Sequence, residues 1–161
     1  MERYHVRRAD REITDAEALA SILRHGRYTT IALCHGGGPY AVTLSYGYDH
    51  ERAALYFHVA KAGRKLDAIA TDPRACATVI VDGGYEQGAC KHHYESVVLD
   101  GTMTIVEDLD ERRHGMRVLL GHLEDEPALV WERNGLDGDN ALERVIVVRF
   151  DIEAMTGKAG S

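Results

Sequence analysis

The feature that most constrains the fold of this chain is a series of short segments rich in β-branched and aromatic residues, separated by tight turns. Such side chains fit the pleated, half-buried surface of a strand. Turns such as "HGGGPY" and "DHER" are too short to carry a crossover helix, so they join antiparallel neighbours. Six segments have this character: 28–34, 41–48, 54–60, 74–81, 94–107 and 144–152. The sequence therefore predicts six antiparallel strands.

Two helices are predicted in the first half of the chain. The stretch "TDAEALASILRHG" opens at Thr14 with the spacing of a capping box, continues with an apolar face and stops at Gly26. Residues 61–71 have apolar side chains at helical spacing, and Asp72 followed by proline ends the pattern. Both helices are amphipathic, so each is expected to pack one face on the sheet.

The second half of the chain predicts one more helix and two irregular regions. The stretch "LDERRHGMRVLLGHL" (109–123) has helical spacing, and Asp108 stands where an N-cap belongs. Residues 82–93 read as a polar, glycine-bearing loop, and Trp131 falls in a short turn. Gly101, in the middle of the long fifth strand, predicts a β-bulge or a barrel corner.

These elements predict a mainly β fold with flanking helices, in which a six-stranded antiparallel barrel carries its helices outside. A length of 161 residues is that of a single domain, 1–161, able to bury its own core. We expect the N-terminal helix at about 14–25 and the barrel at about 28–152.

The charge balance and the cysteines exclude several classes of function. Lys+Arg 19 against Asp+Glu 26 gives a net charge of −7, which disfavours binding to nucleic acid or to an anionic membrane. Three cysteines make no secretory disulfide framework, and no segment has the length and apolarity of a membrane span. We expect a cytoplasmic protein with reduced thiols.

A basic cluster at the third strand-to-helix junction stands out against this acidic background. Lys61, Arg64 and Lys65 crowd the predicted first turn of a helix, where unpaired N–H groups already carry partial positive charge. With Gly63 between them, they would suit one phosphate group. The alternative is a helix face that is simply solvated, at a small cost in repulsion.

The second strand predicts a nearly flat surface beside this cluster. Its alternate positions Ala41, Thr43, Ser45 and Gly47 are small or hydroxylated. A planar ring such as a flavin could lie there and bond to hydroxyl and backbone groups. The alternative, equally compatible with the pattern, is a small-residue face packed under another element.

Four stretches, in this order, resemble the nitroimidazole-resistance (Nim) branch of the pyridoxamine 5′-phosphate oxidase-like flavoproteins. They are "YAVTLSYGY", "LYFHVAKAGRKLDAI", "YESVVLDGTMTIVEDLDERRHGMRVLLGHL" and "EAMTGK". The resemblance covers nearly the whole chain. It implies an FMN-binding split β-barrel of Greek-key type that forms a homodimer, with FMN in a groove between the subunits.

The resemblance also assigns candidate site residues. It implies that Lys61, Lys65 and Arg64 hold the FMN phosphate, and that the ring lies along residues 43–46 and near Ser96 and Val97. The full set of expected cofactor contacts is Thr43, Leu44, Ser45, Tyr46, Phe57, His58, Lys61, Arg64, Lys65, Ser96 and Val97. No resident metal is expected, because "CKHH" at 90–93 lacks a second ligand cluster.

His58 matches the histidine of the family's "YFH" segment. The resemblance implies either an active-site role beside the flavin or binding of the phosphate, and the residues do not decide between them. A histidine hydrogen-bonded in a barrel wall, with no chemistry, is the further alternative. The chain departs from the family pattern at Thr43, where relatives often carry proline, and at Val59, where they carry serine or glycine.

The resulting hypothesis is an FMN-dependent oxidoreductase of nitroreductase type that reduces 5-nitroimidazoles or other small aromatic acceptors. FAD or a deazaflavin could replace FMN. The alternatives are a haem-binding or other cofactor-binding barrel without catalytic redox chemistry, and a protein that binds a phosphorylated metabolite. With a flavin bound, the loop 82–93 could overhang the substrate groove, where His92, His93 or Tyr94 would contact whatever stacks on the flavin. No counterpart of the C-terminal substrate region of true pyridoxamine phosphate oxidases is present, so vitamin B6 synthesis is not expected.

Overall fold

The structure is a computed structural model and describes residues 6–160. A 3-10 helix (Ala9–Arg11) precedes five α-helices: α1 (Ala16–His25), α2 (Arg64–Thr71), α3 (Leu109–Leu123), α4 (Pro127–Arg133) and α5 (Asp139–Leu142). Eight strands complete it: β1 (Glu12–Ile13), β2 (Tyr28–His35), β3 (Gly38–Ser45), β4 (Gly47–Asp49), β5 (Ala54–Val59), β6 (Arg74–Glu86), β7 (Lys91–Ile105) and β8 (Ile146–Gly160).

One antiparallel sheet contains all the strands. Its order is β3-β2-β6-β7-β8-β5-β4, with β1 paired to β8. The two ends of this order, β3 and β4, are separated in the chain by Tyr46 alone. The sheet must therefore curl until its ends meet, which is consistent with a split barrel.

The predicted class, mainly β with flanking helices, is confirmed, but the predicted count of six strands is not: the structure has eight. One added strand is the two-residue β1, which the sequence does not signal. The other arises because the predicted strand 41–48 breaks at Tyr46, whose side chain is fully buried and whose hydroxyl donates to the carbonyl of Leu23 (2.7 Å). Burial of this side chain on α1 interrupts the ladder.

The β6–β7 hairpin differs most from its prediction. Residues 82–93 were expected as a loop, but β6 runs to Glu86 and β7 begins at Lys91, so a short turn of four residues joins them. The last strand also continues past the expected 152 to Gly160, paired with β7. The predicted bulge at Gly101 is confirmed by a register shift between Asp100 and Gly101.

The three predicted helices, α1, α2 and α3, are confirmed with corrections at their ends, whereas α4 and α5 were not predicted. Asp108 caps α3 as predicted, accepting from the amide of Glu111 (2.8 Å). The cap of α1 is Asp15 rather than Thr14, because its carboxylate accepts from the amide of Ala18 (2.7 Å). Gly26 ends α1 as predicted, and Trp131 lies in a short helix, α4, rather than in a turn.

Two groups of buried side chains fill the interior. The larger lies inside the barrel under α1 and α2 and is built on Leu23, Ile31, Phe57, Leu99 and Phe150. The smaller lies between α3 and the strands β4, β5 and β8. Two glycines let α3 pack closely on these strands. A Cβ on Gly47 of β4 would lie 2.5 Å from the Cα of Leu119, and a Cβ on Gly115 of α3 would lie 2.6 Å from the ring of Tyr56. Within residues 6–160, no helix is long and apolar enough to cross a membrane.

Candidate functional site

The basic cluster lies on the turn that enters α2. The helix begins at Arg64, later than predicted, and Gly63 is its N-cap with φ of 134°, a value that glycine adopts far more readily than other residues. No side chain caps this end, so the first amides are left for another acceptor. Lys61 precedes the helix, and Arg64 and Lys65 form its first turn. We call Lys61, Gly63, Arg64 and Lys65 the basic turn.

The charges of the basic turn are not neutralised by neighbouring acids. In the ion pairs that the structure describes for residues 6–160, none of its three cations takes part. The guanidinium of Arg64 instead lies over the ring of Tyr40, 4.4 Å from its centroid. Tyr40 belongs to β3, but it packs against the larger core, so its ring lies on the face of the strand opposite to the side chains of Thr43 and Ser45.

That strand forms part of a broad exposed surface of small and apolar side chains. Directly paired residues form a row of short side chains, Thr43, Thr30, Thr78, Val98 and Thr156, across five strands. The next row contains Ser45, Tyr28, Ile80, Ser96 and Lys158. We call these ten residues the outer sheet face. Tyr28, Ile80 and Val98 remain 65%, 58% and 41% exposed there, although apolar.

The predicted flat face is confirmed for β3 but not beyond it. Ala41, Thr43 and Ser45 are exposed and alternate with partly buried Val42 and Leu44. Gly47, expected on the same face, is instead buried against α3, where only a hydrogen fits. The two hydroxyls of Thr43 and Thr30 lie 2.9 Å apart and share a hydrogen bond.

Four of the expected cofactor contacts point away from this surface. Tyr46, Phe57 and Val97 are fully buried in the larger core, and Leu44 packs against it. Burial of Tyr46 raises the pKa of its phenol. A ligand on the outer sheet face could meet only the main chain of these residues, whereas Thr43, Ser45 and Ser96 offer hydroxyl side chains.

His58 is the exposed position of an otherwise buried strand. Leu55, Tyr56, Phe57 and Val59 of β5 are all buried, and His58 alone of β5 is exposed. It lies three residues before Lys61 on the segment that leads into the basic turn. Its side chain is therefore accessible from the surface, and its role as an active-site residue, a phosphate ligand or a residue of the barrel wall without chemistry stays a prediction.

The β6–β7 hairpin adds polar groups beside Ser96. A cavity of about 400 Å³ is lined by Ile80, Asp82, His92, Tyr94 and Ser96. His92 is 2.8 Å from the carboxylate of Asp82, and the amide of Gly84 together with this imidazole lowers the pKa of Asp82. His93 points to the other side of the strand and pairs with Glu86 (3.4 Å). Of the three predicted overhanging residues, His92 and Tyr94 adjoin the outer sheet face.

Sequence reasoning missed seven residues of the outer sheet face: Tyr28, Thr30, Thr78, Ile80, Val98, Thr156 and Lys158. Their strands were predicted, and alternation within each strand was available as a signal. What the sequence does not contain is the strand order, which sets β2 between β3 and β6 and so joins separate stripes into one surface.

A second set of charged residues lies under α3 and is internally paired. His114 is 2.6 Å from the buried carboxylate of Asp49, and Glu111 pairs with Arg149. Burial of Asp49 opposes its ionisation, but the bond with His114 and the amide of Arg52 outweigh it and hold the pKa below its usual value. In the described part of the chain, no three His, Cys, Asp or Glu side chains are arranged to hold a metal ion.

Comparison with known families and structures gives a consistent result. The family model described as pyridoxamine 5′-phosphate oxidase matches residues 15–159. A search of curated protein sequences finds no significant match. Many solved structures, in contrast, share the fold.

Three of these structures illustrate the range. An FAD-binding protein from Mesorhizobium loti is 27% identical, covers 94% of this chain and 98% of its own, and superposes with a TM-score of 0.66. A candidate 5-nitroimidazole antibiotic resistance protein from Bacteroides thetaiotaomicron is 23% identical over 92% of this chain and 86% of its own, with a TM-score of 0.76. A flavocytochrome from Azotobacter vinelandii is 22% identical, covers 100% and 75%, and has a TM-score of 0.81.

Proposed function

The chain belongs to the pyridoxamine 5′-phosphate oxidase family, and from this premise we propose that it is a flavoprotein oxidoreductase that binds FMN. The observation that carries the proposal is the basic turn. Three cations without a described acidic partner surround a helix N-terminus that no side chain caps. Such a group of N–H donors and positive charges suits a phosphate dianion.

The residues present fit the remainder of the cofactor. The exposed hydroxyls of Thr43 and Ser45 lie on β3, the strand whose opposite face carries Tyr40, over which Arg64 is stacked. The neighbour of Thr43 is the short Thr30, which leaves open surface for a planar ring, and the neighbour of Ser45 is the exposed Tyr28, whose ring would border it. In the proposal the phosphate is held by Lys61, Arg64 and Lys65, and the ring lies along β3.

We further propose that the outer sheet face is the contact surface of a homodimer. Its exposed apolar side chains lie within one continuous sheet, and large apolar patches on soluble proteins mark interaction sites. The surface has one charged side chain, Lys158, among its ten residues. Two copies of this surface would enclose the ring site from opposite sides and exclude water from it.

When bound, a reduced flavin supplies a hydride or single electrons to an acceptor. The chain's own part is to orient both molecules and to move protons. His58 is exposed at the entry to the basic turn and can donate a proton at an imidazole nitrogen. In this account the acceptor is a small aromatic compound, with 5-nitroimidazoles as the first class to test, since one structural neighbour has that description.

A single-turnover experiment tests the function. The protein is loaded with FMN, reduced chemically without oxygen, and mixed with a 5-nitroimidazole. We expect the flavin to reoxidise, the nitro absorption to disappear, and the rate to fall in His58→Gln while FMN remains bound. Reoxidation no faster than that of free reduced FMN would contradict the proposal.

A further inference from the structure

A second cavity, unrelated to the predicted flavin site, lies between α3 and α4. Its volume is about 620 Å³, within the usual range for small-molecule pockets. Every lining residue belongs to these helices or to the loop after α4: Arg117, Leu120, Gly121, Pro127, Ala128, Trp131, Glu132 and Asp137. None of them is among the residues predicted to bind the flavin.

The helical spacing explains how this cavity is formed. Arg117, Leu120 and Gly121 are three and four residues apart, so they share one face of α3. On α4, Pro127 and Trp131 are likewise four apart. At Gly121 a Cβ would meet nothing within 4 Å, so the floor beside it is open space.

Trp131 forms a fixed wall of the cavity. Its indole N–H donates to the carboxylate of Asp137 (2.8 Å), and the guanidinium of Arg117 lies over its ring, 4.9 Å from the centroid. Both contacts hold the indole in one orientation. In this stacking only the flat face of the Arg117 guanidinium contacts the indole. The N–H groups at the edge of the guanidinium can therefore donate hydrogen bonds to a ligand.

The cavity also offers a positive group, Arg117, and a negative group, Glu132, that are not paired with each other, in addition to the carboxylate of Asp137. Arg117 and Glu132 take no part in the ion pairs described for residues 6–160. Asp137 is already engaged by the indole. The wall between these charges is apolar, formed by Leu120, Pro127 and Ala128.

From these contacts we propose that the cavity is a binding site for a zwitterionic amino acid with an aromatic or branched apolar side chain. The carboxylate binds the edge of Arg117, the ammonium group binds Glu132, and the side chain packs on Leu120 and Pro127. A simple anion would lack a partner for Glu132, and a simple cation would face Arg117. This site is independent of the proposed redox function.

Trp131 makes the proposal directly measurable, because it is the single tryptophan of the chain. L-Phenylalanine is titrated into the purified full-length protein, and tryptophan fluorescence and calorimetric heat are followed together. We expect a saturable change in both. Titration into the millimolar range without either signal would overturn the proposal.

Related probes and variants separate the two charged contacts. 3-Phenylpropionate lacks the ammonium group and phenethylamine lacks the carboxylate, so each should bind about 10- to 100-fold more weakly, the range of one charge-assisted hydrogen bond. Arg117→Met should weaken the binding of L-phenylalanine by a similar factor. Glu132→Gln should make the affinity for L-phenylalanine equal to that for 3-phenylpropionate. Equal binding of all three probes would refute the assignment.

The controls use the same two helices. Arg133→Met removes an exposed charge one residue beyond Glu132, outside the cavity, and should leave affinity unchanged. Trp131→Phe should remove the fluorescence signal while calorimetry still detects binding. Circular dichroism shows whether each variant is folded. An affinity that Arg117→Met and Arg133→Met alter equally would contradict a specific site.

Discussion

Two charged regions of this molecule use their charges in opposite ways. Under α3, Asp49 meets His114 and Glu111 meets Arg149, so acids and bases neutralise one another. At the basic turn, Lys61, Arg64 and Lys65 gather without a described acid beside them, at a helix end that itself repels cations. The first arrangement stabilises the fold, whereas the second lowers its stability unless an anion binds. This difference is the physical basis for our proposal that the basic turn binds an anion and that the paired charges under α3 stabilise the fold.

The largest effect is expected from removing the two lysines of the basic turn. Lys61→Ala with Lys65→Ala should weaken FMN binding by about 100- to 10,000-fold, since each charge-assisted contact to phosphate contributes about 1.5–3 kcal/mol. The folded state should be equally stable or slightly more stable, because like charges are removed. Fluorescence titration with FMN and thermal unfolding measure the two quantities.

A matched control is Lys91→Ala with Arg133→Ala, which removes the same amount of charge from exposed positions on β7 and α4. It should leave FMN affinity within about twofold, the scale of screened long-range electrostatics. If both double variants reduce affinity equally, net charge rather than a phosphate site explains the effect. Unchanged binding in the lysine variant would remove the phosphate assignment.

The exposed apolar side chains of the outer sheet face, like the unpaired charges of the basic turn, are proposed to serve binding rather than the fold. Ile80→Asp with Val98→Asp places two carboxylates on the proposed dimer contact and should weaken self-association by at least about 100-fold, because unpaired charges would be desolvated there. Sedimentation equilibrium measures the dissociation constant of the dimer. Glu95→Asp, a neighbouring exposed change on β7, serves as control. A protein that is monomeric before any substitution would refute the dimer proposal.

Breaking the paired region should affect stability and leave the cofactor alone. Asp49→Asn should lower the free energy of unfolding by about 1–3 kcal/mol, since it weakens a bond between a buried carboxylate and half-exposed His114. FMN affinity should not change. Chemical denaturation and FMN titration check both parts, and a loss of FMN binding would show that the two regions are coupled.

The same variant has a defined pH dependence. The pKa of Asp49 is lowered in the folded state, so its ionised form contributes stability above its ordinary pKa of about 4. That contribution is lost as the pH falls through the lower, folded value. The stability difference between wild type and Asp49→Asn should therefore shrink below about pH 4 and be largest near neutrality.

The smallest predicted effect concerns the orientation of Arg64. Tyr40→Leu keeps an apolar side chain on β3 but removes the ring under the guanidinium. A cation–π contact at an exposed site contributes about 0.5–1 kcal/mol, so FMN affinity should fall by about two- to fivefold. Tyr48→Leu is the control, because Tyr48 of β4 is likewise partly buried against the larger core but is not stacked on Arg64. An equal loss of FMN affinity from Tyr48→Leu would contradict a specific contribution of the contact between Arg64 and Tyr40.

The sequence predicted local features well, because their causes lie within a few residues. The bounds of α3, the cap at Asp108 and the bulge at Gly101 follow from spacing, capping and glycine chemistry. The break at Tyr46 could not be predicted, since it depends on a hydrogen bond to Leu23 on a distant helix. The strands of residues 82–93 were missed because pairing across the hairpin overrides their polar, glycine-rich composition.

For the candidate site, the sequence identified the basic turn and part of the surface beside it. Charge clustering is visible in the chain itself, so Lys61, Arg64 and Lys65 were found. Side-chain direction was harder: Phe57 and Val97 were expected to contact the cofactor, but their side chains lie in the core. Most of the outer sheet face requires the strand order, which depends on contacts distant in sequence.

The most direct test of the account is the cofactor that the protein carries when purified. An absorption spectrum is recorded, and mass spectrometry identifies whatever heat denaturation releases, from wild type and from the Lys61→Ala, Lys65→Ala variant. We expect the two visible bands of an oxidised flavin and the mass of FMN from the wild type, both greatly reduced in the variant. A haem spectrum, or a colourless protein that does not take up added FMN, would contradict it.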